Sequence, residues 1–218
     1  MIIDSWLISR PSVDSPPKIA GLAHHLHRFR RSVEEFYARR LPDDFLTHVH
    51  KECLNAPVGW WFPRVEATAT TQDFRWRRSP QRRNHTRLIV RDFPDDPRRY
   101  PHFKGPDLPT LQVLRTQAQE AGVDDALMCV AGMVCETTTA AVVLRAEDVL
   151  VIPEAPRLSS VTEELLLAGE ISHADLRWGK VEQRPIEMTE ITQPHHQLWA
   201  LNSLHGITPV TLCVGNFL

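Results

Sequence analysis

Between positions 78 and 84 the chain reads Arg78-Ser79-Pro80-Gln81-Arg82-Arg83-Asn84, without one apolar side chain. A segment with nothing to bury cannot run through a hydrophobic core, and its proline interrupts any continuous helix or central strand. It therefore reads as a linker or long surface loop that separates one core from another. The domain boundary is expected near residue 82, giving a small N-terminal α+β domain over 1–82 and a larger C-terminal domain over 83–218. At 218 residues with 42% apolar content, both segments have material for a core.

The two sides differ in pattern. From Gly21 to Phe36, Leu22, Leu26, Phe29, Val33 and Phe36 recur at spacings of three and four, which predicts an amphipathic helix with Arg28, Arg30 and Arg31 on its polar flank. Residues 58–69 and the run Phe74-Arg75-Trp76-Arg77 mix aromatic and β-branched residues with polar ones, as half-buried strands do. Past the linker, a strand is expected over 85–90, then a polar loop at Pro94-Asp95-Asp96-Pro97. A helix starting at Pro106-Asp107 keeps Leu108, Leu111, Leu114 and Ala118 on one face until Ala121-Gly122 ends it. Short apolar runs at 126–130, 140–144 and 149–152 read as strands. A second short helix over 161–168 and late strands at 198–201 and 210–214 complete a mixed α/β body. No internal repeat or low-complexity tract interrupts it.

Composition narrows the function. A formal charge of -2 argues against a protein built to grip a nucleic acid backbone, which requires a large excess of Lys and Arg; a small-molecule partner is expected instead. No apolar run reaches the roughly 18 residues needed to span a bilayer, and Met1-Ile2-Ile3-Asp4 opens with neither a basic nor a long apolar region. No membrane partner and a cytoplasmic location are therefore expected. Cys53, Cys129, Cys135 and Cys213 lack the paired spacing of a zinc site or a disulfide framework and read as core thiols. His24-His25 and His195-His196 point in different directions on any helix and have no acidic residue four positions on, so no metal is expected. Lys stands only at Lys18, Lys51, Lys104 and Lys180, which restricts an amine nucleophile to four positions.

Four separated segments share a further pattern: Leu26-His27-Arg28-Phe29-Arg30-Arg31-Ser32, His102-Phe103-Lys104-Gly105-Pro106-Asp107-Leu108, Gly132-Met133-Val134-Cys135-Glu136-Thr137, and Asn202-Ser203-Leu204-His205-Gly206-Ile207-Thr208-Pro209-Val210. In this order the set resembles the class IV aminotransferase and 4-amino-4-deoxychorismate lyase superfamily, the fold type IV pyridoxal-phosphate enzymes. The resemblance implies a small α+β domain, a C-terminal pseudobarrel carrying Lys104 and most of the cofactor site, and a homodimer.

By the same resemblance Lys104 bonds covalently to the aldehyde of pyridoxal phosphate, a task that requires a neutral amine. Glu136 would partner the pyridine nitrogen and keep it protonated. Arg28, the backbone N–H groups of Val161 and Thr162 at a helix start, and the Ser203 hydroxyl would hold the phosphate. Departures stand beside these matches. Ser160-Val161-Thr162-Glu163 replaces the usual Gly-Val-Thr-Arg, and Ala141 stands where Asn is common, so weakened or differently arranged phosphate binding is expected. Asp4-Ser5-Trp6 occupies the place of a Phe-Glu-Thr-like strand, which implies that an N-terminal strand or two is missing.

The 202–210 segment, and the absence of a Tyr a few residues after Lys104, resemble the lyase branch, which forms 4-aminobenzoate and pyruvate. A class IV aminotransferase of branched-chain or D-amino acid type is the alternative, and a non-catalytic cofactor- or ligand-binding relative is a third. An amino substrate bearing carboxylates would need cationic side chains, for which Arg75, Arg77 and Arg78 are the candidates, against a solvated basic strand edge.

Overall fold

The computed structural model describes residues 1–213. It divides into two compact units, Met1–Arg82 with Phe103–Pro106, and Arg83–His102 with Asp107 onward. Val214, placed in the last strand by the sequence pattern, lies outside the described residues.

The first unit contains β1 (Ile2–Ser5), β2 (Ile8–Arg10), β3 (Lys18–Ile19), α1 (Leu22–Tyr37), α2 (Asp43–Leu54), β4 (Gly59–Trp61), β5 (Arg64–Ala67) and β6 (Gln72–Arg75). Two antiparallel three-stranded sheets form, in the orders β1-β5-β6 and β3-β2-β4. Alternation along the first strand sends Ile2 and, beyond it, Trp6 into a core with Leu22, Leu26, Phe29 and Val33 of α1 and Val49 and Cys53 of α2. The buried stripe of α1 follows the spacing expected from the sequence, but it also carries His25, Arg28 and Ser32. Arg28, expected on the polar flank, is thus buried.

The second unit contains β7 (Thr86–Phe93), α3 (Leu108–Glu120), β8 (Asp125–Val130), β9 (Met133–Thr137), β10 (Ala141–Ala146), β11 (Val149–Pro153), α4 (Val161–Leu167), β12 (Lys180–Arg184), β13 (His196–Asn202) and β14 (Gly206–Leu212). All strands join one sheet in the order β12-β11-β10-β13-β14-β7-β8-β9. The sheet curls until its edges meet: Val134 N donates to Ile186 O at 2.9 Å, and Met188 N to Gly132 O at 2.8 Å. The segment that leaves β12 thereby pairs with β9 at the opposite edge, which closes the pseudobarrel and removes two unpaired edges.

Period-two alternation fills the interior with Leu88, Val90, Leu127, Cys129, Val134, Val142, Leu144, Val151, Leu198 and Val210. The outer face is covered in two places. Leu166 of α4 joins Val143, Leu150, Ile152, Trp199 and Leu201, and Ala118 of α3 joins Ile89 and Ala126. No helix among the described residues is long and apolar enough to cross a membrane.

Leu127 is fully buried in the barrel interior. Leu127→Ala is expected to lower the unfolding free energy by about 2–5 kcal/mol through lost transfer energy and a residual cavity. Urea titration should show a lower midpoint with an unchanged slope.

Candidate active site

Lys104 was expected with the C-terminal domain, yet Phe103–Pro106 belongs to the first unit. The cause is local. Ile3 N donates to Lys104 O at 2.8 Å, so the segment docks on the edge of β1, and the Phe103 ring meets Phe36 edge-on at 5.2 Å. Gly105 allows the close approach. Its φ is +133°, and a Cβ there would strike the Met1 carbonyl oxygen, with Ile3 N and Ile2 Cα next at 3.1 and 3.2 Å.

The same strand presents Asp4 to α1. Arg28 Nε donates to Asp4 Oδ2 at 3.0 Å, and Arg28 Nη2 donates to Oδ1 at 2.7 Å and Oδ2 at 2.8 Å. His25 Nδ1 lies 3.2 Å from Asp4 Oδ1, and its ring is tilted against Trp6 at 5.6 Å. The charge-assisted fork explains how a guanidinium tolerates this burial. Burial works to raise the Asp4 pKa, but Arg28 and His25 outweigh it and hold the carboxyl well below its usual range. Burial pushes the His25 pKa down against the pull of Asp4, and the charges of Arg28 and Lys104 add to the fall. Lys104, Arg28, His25 and Asp4 therefore form one electrostatic neighbourhood within the first unit.

Arg77 extends it. Its Nη2 donates to Ser5 Oγ at 3.0 Å and its Nε to Phe62 O at 3.2 Å. Arg75 instead faces Asp73 at 2.6 Å and Glu66 at 3.0 Å, and Arg78 stacks over the Trp61 ring at 4.1 Å.

In the second unit Glu136 sits buried on β9, where its register with Met128 precedes a bulge. Arg98 Nη1 donates to Glu136 Oε1. The turn after Glu136 is tied down by buried Asp125, which accepts from Thr137 Oγ1 at 2.9 Å, Thr139 Oγ1 at 2.6 Å and, more closely, Thr138 Oγ1. Ala141 is buried at the start of β10, paired with Leu201.

Val161 and Thr162 open α4 and are buried. Ser160 caps it, accepting from Glu163 N at 3.3 Å. Glu163, the residue standing in for an Arg, is gripped by both ends of Arg157, with Nη1 to Oε2 at 3.0 Å and Nη2 to Oε1 at 2.9 Å. A guanidinium thus reaches this helix start from six residues earlier in the chain. Ser203 lies in the β13–β14 turn, which Asn202 Oδ1 shapes by accepting from Leu204 N at 3.1 Å and His205 N at 2.7 Å. Among the described residues no cluster of three or more His, Cys, Asp or Glu could hold a metal ion.

The sequence reading singled out Lys104, Arg28, Glu136, Val161, Thr162 and Ser203. It missed Asp4 as the counter-charge of Arg28, Arg98 and Asp96 around Glu136, and Arg157 at α4. Only the acidic loop at 94–97 signalled any of these. The donor set suits pyridoxal phosphate: an amine, a buried guanidinium, a buried carboxylate, a helix start and a hydroxyl. Its distinguishing feature is that Arg28 already shares its charge with Asp4.

The sequence matches the model of the amino-transferase class IV family over residues 12–213. The chain belongs to that family, whose members are pyridoxal-phosphate-dependent enzymes acting on small amino substrates. No curated protein matches the sequence. Solved structures share the fold at low identity. A branched-chain amino acid aminotransferase from Thermobaculum terrenum is 16% identical with a TM-score of 0.77, covering 97% of this chain and 76% of that one. A candidate amino-acid aminotransferase from Mesorhizobium loti is 18% identical with a TM-score of 0.76, over 97% and 99%. A candidate 4-amino-4-deoxychorismate lyase from Legionella pneumophila is 19% identical with a TM-score of 0.73, over 97% and 82%.

Asp4→Asn leaves Arg28 buried without its counter-charge and is expected to lower stability at neutral pH by about 3–5 kcal/mol. Because the folded-state pKa of Asp4 is depressed, its contribution is complete above the ordinary carboxylate pKa of about 3.9 and is lost as the pH falls below it. Urea unfolding should show the gap between wild type and Asp4→Asn narrowing by about 1 kcal/mol at pH 3.

Proposed function

We propose that this member of the class IV aminotransferase family is a lyase acting on 4-amino-4-deoxychorismate, with Lys104 as its covalent amine and base. The observation that carries the reading is the docking of the Lys104 segment on β1, beside the buried Arg28–Asp4 pair. It combines the one lysine of the matched motif with a fixed guanidinium on a rigid strand and helix.

Pyridoxal phosphate, when bound, supplies the electron sink that makes the proton on the amine-bearing carbon removable. Lys104 takes that proton at Nζ, in the role of general base. The enolpyruvyl C–O bond then breaks, the ring becomes aromatic, and the proton returns to the departing enol to give pyruvate. The substrate has the combined composition of 4-aminobenzoate and pyruvate, so the reaction needs no oxidant, water or second amino acid. Glu136 would partner the ring nitrogen of the cofactor. Arg28, the Val161 and Thr162 amides and Ser203 would hold its phosphate.

Arg77 suits a substrate carboxylate better than its neighbours. Its hydrogen bonds go to neutral oxygens of Ser5 and Phe62, whereas the charge of Arg75 is matched by Asp73 and Glu66. The resemblance of residues 202–210 to the lyase branch supports the lyase over an aminotransferase.

Borohydride treatment of the cofactor-loaded protein, followed by peptide mass mapping, should place the reduced cofactor on the peptide containing Lys104. Lys104→Ala should abolish the label and reduce 4-aminobenzoate fluorescence from aminodeoxychorismate by about a thousandfold or more. A label on Lys18, Lys51 or Lys180 would overturn the assignment. Label at Lys104 with turnover of amino acids but no 4-aminobenzoate would make the enzyme an aminotransferase. Arg77→Met should raise KM for the dicarboxylate by roughly tenfold, the loss of one charge-assisted contact, with kcat little changed.

A further inference from the structure

Glu136, proposed above as the partner of the ring nitrogen, is met by a second buried residue, Arg98. The Arg98 side chain is 1% exposed and is held from three directions. Asp96 takes one edge: Arg98 Nε donates to Oδ1 at 2.9 Å and Nη2 to Oδ2 at 2.8 Å, while the Arg98 backbone N–H also donates to Oδ1 at 2.9 Å. Arg98 Nη2 further donates to the Pro156 carbonyl at 2.8 Å, at the approach to α4. Nη1 reaches Glu136 Oε1. The guanidinium is therefore fixed by Asp96 and Pro156 before it contributes anything to Glu136, and it meets Glu136 through one oxygen rather than as a full fork.

The electrostatics agree with the geometry. Burial works against the charge on Arg98, but its hydrogen bond to Asp96 and the charges of Glu136 and Asp96 hold its pKa above the usual value. The other titratable group facing it is Cys135, whose thiol is pushed up by burial and pulled back by Arg98. A permanently charged, immobile guanidinium at hydrogen-bond distance favours the ionised form of a carboxylate and fixes its rotamer.

We propose that Arg98, anchored by Asp96, is a positioning residue that keeps Glu136 ionised and aimed, and so sets the protonation of the cofactor ring nitrogen. The inference rests on the reading of Glu136 as the partner of that nitrogen.

The test uses the cofactor-loaded enzyme and four variants: Arg98→Met, Arg98→Lys, Asp96→Asn and Glu136→Gln. Three quantities are read: the visible absorbance of the bound cofactor as a function of pH, cofactor retention on gel filtration, and kcat and KM separately. Arg98→Met should keep the cofactor, shift the pH dependence of the visible band, and cut kcat by about tenfold to a hundredfold with KM little changed, the range typical when an outer partner of a ligating group is lost. Arg98→Lys, which keeps the charge but lacks the planar fork that Asp96 grips, should recover part of kcat. Asp96→Asn should show a smaller shift of the same sign, because it loosens the anchor alone.

Wild-type spectra and kcat in Arg98→Met, with Glu136→Gln altered in both, would overturn the role of Arg98 and leave that of Glu136 standing. An unaltered spectrum in Glu136→Gln would overturn the reading of Glu136 itself. Should Arg98→Met fail to fold, Arg98→Lys decides: full kcat and an unshifted band there overturn the proposal.

Discussion

A curled eight-stranded sheet has two edges, and each is a row of unpaired backbone groups until something meets it. Here the edges meet each other. The chain leaving β12 hydrogen-bonds across to β9 through Ile186 and Met188, and β9 is the strand that carries Glu136. The closure that satisfies the backbone thus also immobilises the buried acid. Asp125 finishes the task from the next strand by gathering three threonine hydroxyls in the turn that follows.

The buried charges obey one rule. Arg28 lies against Asp4, Arg98 against Asp96 and Glu136, and Arg157 against Glu163. A guanidinium stays charged at any physiological pH and offers a planar fork, so it can be buried where an ammonium would lose its proton. Each of these pairs tethers a segment bearing a proposed cofactor ligand: α1, β9 and α4. A lysine gives up its proton more readily than an arginine, which suits Lys104 to the proposed chemistry.

Periodic features were legible in the sequence, and long-range pairings were not. Spacing located α1, α3 and α4 within a residue or two, and apolar runs located β7, β8, β10, β11 and β13, because each is a property of neighbouring residues. α2 passed unremarked although Phe45, Val49 and Cys53 stand four apart behind Asp43 and Asp44. The strand β12 has a polar sequence, Lys180-Val181-Glu182-Gln183-Arg184, and is a strand only because β11 lies beside it. Arg28 looked like a surface residue because its partner is 24 positions away. The bond from Arg98 to Glu136 spans 38, and the docking of Lys104 on Ile3 spans most of the first hundred residues. Motif order supplied the proposed site residues; what holds each of them in place came only from the fold.

Gly105 rests directly on the backbone of Met1, Ile2 and Ile3. These three residues are thus a rail on which the segment bearing the proposed amine is seated, and the seat exists only once strand and loop have found each other across about a hundred intervening residues. Whatever displaces Met1, Ile2 and Ile3 displaces the Lys104 segment with them.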